Sequence, residues 1–346
     1  MGLQMETRPE LGHDGCRLRE RGVTFCYTGA VALARDVGWR KDESMAEYVV
    51  ETEDLTVYYG RHRGIAGVDL AVAKGEVFGF LGPNGAGKTT TQRVLLDVIR
   101  PTIGRATVFG LDCQEDGPQI RKRVGYLPGE LSLYPQMRGR AFLEMMAGLY
   151  GMDVDRAYRR ELYERLALDP SRRIKAYSRG NRQKVGIVMA FMGRPDLLIL
   201  DEPTTGLDPL VQQTVLALVR EARAEGRTVF FSSHILPEVQ AVCDRVGIIR
   251  EGKLVKVERV ETLVRQQFKR LTLTFRELPP ADAFAFDGVT ETGREGQVVM
   301  LEVRQNLDKV LEAAAPCGVV DIETMPVTLE EVFLAYYGRA NEEAAV

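Results

Sequence analysis

Val77-Phe78-Gly79-Phe80-Leu81-Gly82-Pro83-Asn84-Gly85-Ala86-Gly87-Lys88-Thr89-Thr90 is the stretch on which the fold turns. Val77 to Leu81 is a nearly continuous apolar run, as expected of a parallel strand buried on both faces. Gly82 to Thr89 then fits G-x-x-x-x-G-K-[S/T], and Thr89 to Ile99 is long enough for a helix. A strand, a glycine-rich turn and a helix in that order aim successive backbone N–H groups and a helix N-terminus at negative charge. Gly82, Pro83, Asn84, Gly85, Ala86, Gly87 and Thr90 would surround nucleotide phosphates, Lys88 would reach the β and γ oxygens, and the Thr89 hydroxyl could ligate Mg²⁺. Such a loop does not by itself separate an ATPase from a kinase or a GTPase.

Leu197-Leu198-Ile199-Leu200-Asp201-Glu202 supplies a second half: a buried strand that ends in two carboxylates. Asp201 would hold Mg²⁺, directly or through water, and Glu202 would polarise an attacking water. Alone, these residues could equally be a strand ending in a solvated acidic turn; beside the phosphate loop the catalytic reading prevails. No N/T-K-x-D guanine motif is apparent, which argues against a GTPase.

Around this centre strands and helices alternate. Val57 to Tyr59, Val68 to Val72 and Thr228 to Ser232 read as strands. Arg138 to Tyr150, Asp155 to Leu168, Asn181 to Met192 and Val211 to Ala224 read as helices. The pattern is an α/β core with a helical insert near 135–192. Past Val260 the texture changes to a small α+β unit. Leu271, Leu273 and Phe275 alternate with polar residues, and a turn at Gly293 to Gly296 precedes a strand at Val298 to Val303. A helix at Leu307 to Ala315, a strand at Val319 to Ile322 and a capping-box helix at Thr328 to Tyr337, with Glu331 at its third position, complete it.

Composition sets the outer bounds. A chain of 346 residues corresponds to two or three domains at roughly 100–200 residues each. With 45% hydrophobic and 27% charged residues it is ordinary globular material. Lys plus Arg number 46 against 49 Asp plus Glu, a net −3, so no global basic field points to nucleic acid. Cys16, Cys26, Cys113, Cys243 and Cys317 are scattered without a C-x-x-C pair, which disfavours a disulfide framework or zinc ribbon and suits a reducing compartment. No uncharged apolar run reaches the roughly 18–20 residues of a membrane helix. Arg17, Arg19 and Arg21 ahead of Gly22 to Ala34, which ends in Ala32-Leu33-Ala34, imitate a signal peptide, but Thr, Tyr and Gly interrupt the run. Residues 1–44 are read instead as an N-terminal extension that need not belong to the fold. A coherent domain opens just after Met45, and the division expected is 1–44, 45–259 and 260–346.

Ser178-Arg179-Gly180-Asn181-Arg182-Gln183, between the two halves and at the start of a helix, resembles the signature motif of the ATP-binding cassette family, whose consensus begins Leu-Ser-Gly-Gly-Gln. Tyr177 stands for the Leu and Arg179 for the first Gly. The resemblance covers roughly 48–260 and implies a P-loop nucleotide hydrolase of RecA-like α/β type with a helical signature subdomain. It further implies an ATP-dependent homodimer, each ATP lying between one phosphate loop and the partner's Ser178, Arg179, Gly180, Asn181 and Gln183. Gly206-Leu207-Asp208 looks like the D-loop, His234 like the switch histidine that contacts the γ-phosphate, and Tyr59, with Tyr58 as the alternative, like the aromatic that stacks on adenine. One position departs: after Tyr126-Leu127-Pro128 the family usually has Gln, and this chain has Gly129-Glu130. Either Glu130 substitutes, or the site works with a weaker metal grip.

Thr328-Leu329-Glu330-Glu331-Val332-Phe333, with Ser232 to Leu236 and Asp244-Arg245-Val246, resembles drug- and polysaccharide-type exporter cassettes. The resemblance therefore implies an ATPase subunit, dependent on ATP and Mg²⁺, on the inner face of the cell membrane. It would drive a separate integral membrane permease, docked near Gly129 to Ala147, for export of drug-like or other hydrophobic compounds, with no nucleic acid partner. A non-transport cassette acting on ribosomes or nucleic acid is the alternative, though such proteins usually fuse two cassettes or carry basic arms. A P-loop kinase would not need the signature, and a weakly catalytic ATP sensor rests on Gly129 alone.

Overall fold

The continuous apolar stretches are continuous because both faces of their strands are covered. The computed structural model describes residues 47–151, 153–265 and 269–325; the extension over 1–44 and the helix expected at Thr328 to Tyr337 lie outside them. In β3 (Val77–Leu81), β7 (Leu197–Asp201) and β8 (Thr228–Ser233) every residue is buried. Successive side chains go to opposite faces, as the two-residue period of a strand requires. Phe78, Phe80, Ile199 and Phe230 enter one core, while Leu81, Leu198, Leu200 and Phe231 enter the other.

These strands sit in a six-stranded sheet, order β10-β9-β3-β8-β7-β6, with β6 at Val124–Leu127, β9 at Arg245–Arg250 and β10 at Lys253–Arg259. All its pairings are parallel except the β9–β10 hairpin. The first core lies against a second, antiparallel sheet of order β2-β1-β4-β5: β1 (Tyr48–Tyr59), β2 (His62–Ala73), β4 (Ile103–Val108) and β5 (Leu111–Asp112). Both β1 and β2 are longer than the sequence pattern predicts. Glu51 and Glu53 face solvent while Val50, Thr52 and Leu55 face inward, and register shifts between Thr52 and Val57 break the alternation.

Helices cover the opposite face: α1 (Lys88–Leu95), α2 (Gly117–Lys122), α3 (Gly139–Tyr150), α4 (Arg156–Arg165), α5 (Arg179–Phe191), α6 (Pro209–Ala224), α7 (Leu236–Val242) and α8 (Val260–Arg265). The exceptions are α1 and α2, whose Val94, Leu95 and Ile120 belong to the first core. Helix α1 ends at Leu95, short of the expected Ile99, because Asp97 turns into the left-handed region with φ 52°. Buried side chains of this size each stabilise the fold by about 1.5–3 kcal/mol. That places the strongest cohesion directly beneath the loops that follow β3 and β7.

The third sheet is antiparallel, order β12-β13-β11-β14: β11 (Lys269–Phe275), β12 (Val289–Glu295), β13 (Val298–Val303) and β14 (Val319–Met325). Leu271, Leu273, Phe275, Val299 and Leu301 form its core with Val310 and Ala314 of α9 (Leu307–Ala314). The turn expected over Gly293 to Gly296 is tighter than that. Glu295 pairs with Val298 around Gly296, and Gly293 lies inside β12 at a register shift.

Candidate active site

The glycine-rich loop leaves β3 and enters α1 through Gly87, whose φ of 112° and lack of a side chain are both required. A Cβ there would lie 2.5 Å from the Ile65 side chain. Lys88, buried, donates from Nζ to the carbonyls of Gly82 at 2.7 Å and Pro83 at 3.2 Å, so its own loop holds it at the mouth of the site. At the next residue, still in the first turn of α1, Thr89 Oγ1 donates to Asp201 Oδ2 at 2.7 Å. Asp201 ends β7, and its other oxygen accepts from Ser232 Oγ of neighbouring β8 at 2.6 Å. The phosphate loop and the carboxylate strand, far apart in sequence, thus meet through one hydroxyl–carboxylate contact.

Glu202 follows in the left-handed region, φ 49°, which few residues other than glycine adopt. Its Oε1 lies 3.0 Å from His234 Nδ1 and 3.4 Å from Lys88 Nζ, and its Oε2 accepts from Thr205 Oγ1 at 3.3 Å. Burial pushes this carboxyl up, but the hydrogen bond from His234 and the charge of Lys88 outweigh it and leave the group below its ordinary value. It is therefore a carboxylate at neutral pH. Burial, reinforced by the Asp201 charge, pushes the nearby Tyr126 phenol up to about 12.

Lys88, Thr89, Asp201, Glu202 and Thr205 face a cavity of about 520 Å³, lined also by Tyr59, Arg63, Asn84, Gly85, Thr90, Gly129, Glu130 and Arg179. It opens at the carboxyl ends of β3 and β7, where open α/β sheets bind ligands. Tyr59 lines it and Tyr58 does not. The Tyr59 ring packs over Gly64, where a Cβ would come within 2.9 Å of Cε2, and its hydroxyl reaches Thr90 Oγ1 at 3.4 Å. Arg63 and Thr205 were not singled out from sequence. The run Arg61-His62-Arg63 just after Tyr59 was the available signal for the first.

The signature residues divide. Ser178 caps α5, its Oγ accepting from the Asn181 amide at 3.2 Å. Gly180 abuts Gly206, whose carbonyl would lie 3.0 Å from an added Cβ. Of this group only Arg179 lines the cavity of its own chain. Gln183 corrects the sequence reading. Expected to face a partner's nucleotide, it is only 9% exposed and its amide donates inward to the carbonyls of Glu202 at 3.3 Å and Pro203 at 3.2 Å. Helical phase explains this, since Gln183 shares a face with Ile187 and Phe191, both fully buried. Asp208 caps α6, accepting from the Val211 amide at 3.1 Å.

Thr89 and Asp201 suit a hard divalent cation. They offer one hydroxyl and one carboxylate, and among the described residues no cluster of three or more His, Cys, Asp or Glu competes as a metal cage. Mg²⁺ is commonly held in this way, by one or two side-chain oxygens plus phosphate oxygens and water. At Gly129 an added Cβ would sit 3.0 Å from Asp201 Oδ2, so the missing side chain leaves that carboxylate uncrowded. Glu130, exposed, lines both this cavity and a neighbouring apolar one of about 390 Å³ walled by Leu131, Leu133, Tyr134, Phe142, Met146 and Met189.

Residues 65–205 match the family model described as ABC transporter. The chain is 34% identical to the daunorubicin resistance ATP-binding protein of Streptomyces coeruleorubidus, over 87% of this chain and 100% of that one. It is 36% identical to the bacitracin transport ATP-binding protein of Bacillus licheniformis, over 64% and 74%. A solved ATP-binding subunit of an ABC transporter superposes with a TM-score of 0.58 at 29% identity, covering 63% of this chain and 92% of that one. With the phosphate loop, the two carboxylates and the signature helix set in one α/β core, the chain belongs to the ATP-binding proteins of ABC transporters and is an ATPase.

Proposed function

We propose that this ATPase drives a separate membrane permease, as an exporter of drug-like or other hydrophobic compounds, and that it works as an ATP-dependent homodimer. The observation that carries the catalytic part is the convergence of Lys88, Thr89, Asp201 and Glu202 on one cavity, with His234 in contact with Glu202. Lys88 and the loop amides bind the phosphates, and Tyr59 stacks on the adenine. Thr89 and Asp201 would hold Mg²⁺, which when bound neutralises phosphate charge. Glu202, ionised and aimed by His234 and Thr205, accepts a proton from the attacking water. The lysine and histidine now on Glu202 are the groups a γ-phosphate would recruit, so nucleotide entry frees the carboxylate to face water.

Ser178, Arg179, Gly180 and Asn181 lie at the exposed start of α5, where a second copy could apply them to the nucleotide of the first. Asp208, in the loop beside them, would cross the same interface. The apolar cavity beside Glu130 suits the docking of a permease helix, and no helix among the described residues is long and apolar enough to cross a membrane. Export is supported by relatives named for daunorubicin resistance and bacitracin transport.

Glu202→Gln tests the core of this reading. Steady-state turnover should fall by about 10²–10⁴ while ATP binding persists, and an ATP-bound dimer should accumulate on size exclusion. A variant that turns over at the wild-type rate would remove Glu202 from the role of general base.

A further inference from the structure

The segment from Glu202 to Leu207 joins the catalytic strand β7 to α6, and two buried-side glutamine amides hold its carbonyls. Gln212 Nε2 of α6 donates to Thr204 O at 3.4 Å and Leu207 O at 3.2 Å. Gln183 Nε2 of α5 donates to Glu202 O and Pro203 O. The amide of Glu202 is fixed from a third direction by Ser232 O at 3.1 Å. Glu202 needs such restraint, because a non-glycine residue at φ 49° persists only where its surroundings over-determine it.

We propose that Gln183 is a positioning residue that couples the first turn of α5 to the catalytic carboxylate. This rests on the reading above that Glu202 is the general base. The contact is specific in chemistry: one side-chain nitrogen faces two carbonyl oxygens in a nearly closed site, so a side chain without a donor cannot replace it. It is also placed for transmission. The same helix begins with Ser178, Arg179 and Gly180, and its first turn lies against Gly206: a Cβ built on Gly206 would come within 3.4 Å of Arg179 Nε. A nucleotide gripped by the start of α5 therefore acts, through Gln183, on the backbone orientation of Glu202 in the site of the same chain.

Gln183→Met keeps length and apolar volume but removes the donor, and Gln183→Asn keeps the amide but withdraws it by one methylene. In the full chain, Gln183→Met should lower kcat for ATP hydrolysis by about 10–100-fold while KM for ATP stays within about twofold, and Gln183→Asn should show a smaller loss of the same kind. Wild-type kcat in folded Gln183→Met overturns the proposal. So does a parallel loss of nucleotide affinity, because a merely structural role would move KM as well. If Gln183→Met does not fold, Gln183→Asn decides, and wild-type kcat there also overturns it. Glu202→Gln, measured beside them, separates the two levels. Fast turnover in Glu202→Gln removes the general base and the proposal with it, whereas slow turnover there with wild-type kcat in Gln183→Met removes the proposal alone.

Discussion

Glu202 carries two burdens, an unfavourable backbone conformation and a partly buried charge, and the residues around it offset both. Its carboxyl is held below the ordinary value of 4.5 mainly through His234 and Lys88, which overcome burial. A carboxyl lowered in the folded state stabilises the fold above its unfolded value, and the contribution disappears as pH falls through the folded one. At neutral pH the full chain without nucleotide should therefore melt at a higher temperature than Glu202→Gln, and the gap should narrow as pH falls below 4.5. A gap independent of pH would show that the ion pairs add nothing. Gly129 makes a second residue-level case. Asp201 is fixed by Thr89 and Ser232 and cannot easily yield to a side chain 3.0 Å away. Gly129→Ala should raise the Mg²⁺ concentration for half-maximal hydrolysis by about 10-fold, and an unchanged Mg²⁺ titration would contradict this. The types of these residues were legible from motif and spacing. The engagement of Glu202 by His234 was not, because the loop after β8 brings them together only once the parallel sheet has formed.

At the scale of elements, strands buried on both faces announce themselves by composition, and β3, β7 and β8 could be read directly. Half-exposed strands with register shifts do not, which is why most of β1 and all of β4 stayed hidden until their cross-strand partners were known. The inward turn of Gln183 has a readable signal, its four-residue spacing with Ile187 and Phe191, both fully buried. The apolar groove between β6 and α3 makes an element-level prediction. Tyr134 is 59% exposed on its wall, with its ring 6.2 Å from that of Phe142, and lies away from the nucleotide cavity. Tyr134→Asp should leave basal ATP hydrolysis within about twofold, as a surface substitution away from the chemistry should, yet release the chain from membranes on fractionation. Retention equal to wild type would show that the groove is not the docking surface.

For the whole molecule, the six-stranded sheet places nucleotide chemistry along the carboxyl ends of β3 and β7, while the helices beside it present both the signature turn and the apolar groove. Glu130 lines both cavities, so what binds in the groove lies next to what binds at the phosphates. That adjacency is how hydrolysis could be felt by a membrane partner, and it gives a reason for two cavities to share one wall. The α/β core and its catalytic loop were legible because their chemistry is local in sequence. The cargo is not, because contacts to it would lie on the proposed permease. The direct check is to tag the C-terminus, solubilise native membranes gently and identify what co-purifies. A polytopic membrane protein in stoichiometric amount is expected; a pool without one, carrying ribosomes or nucleic acid instead, would contradict the transport assignment.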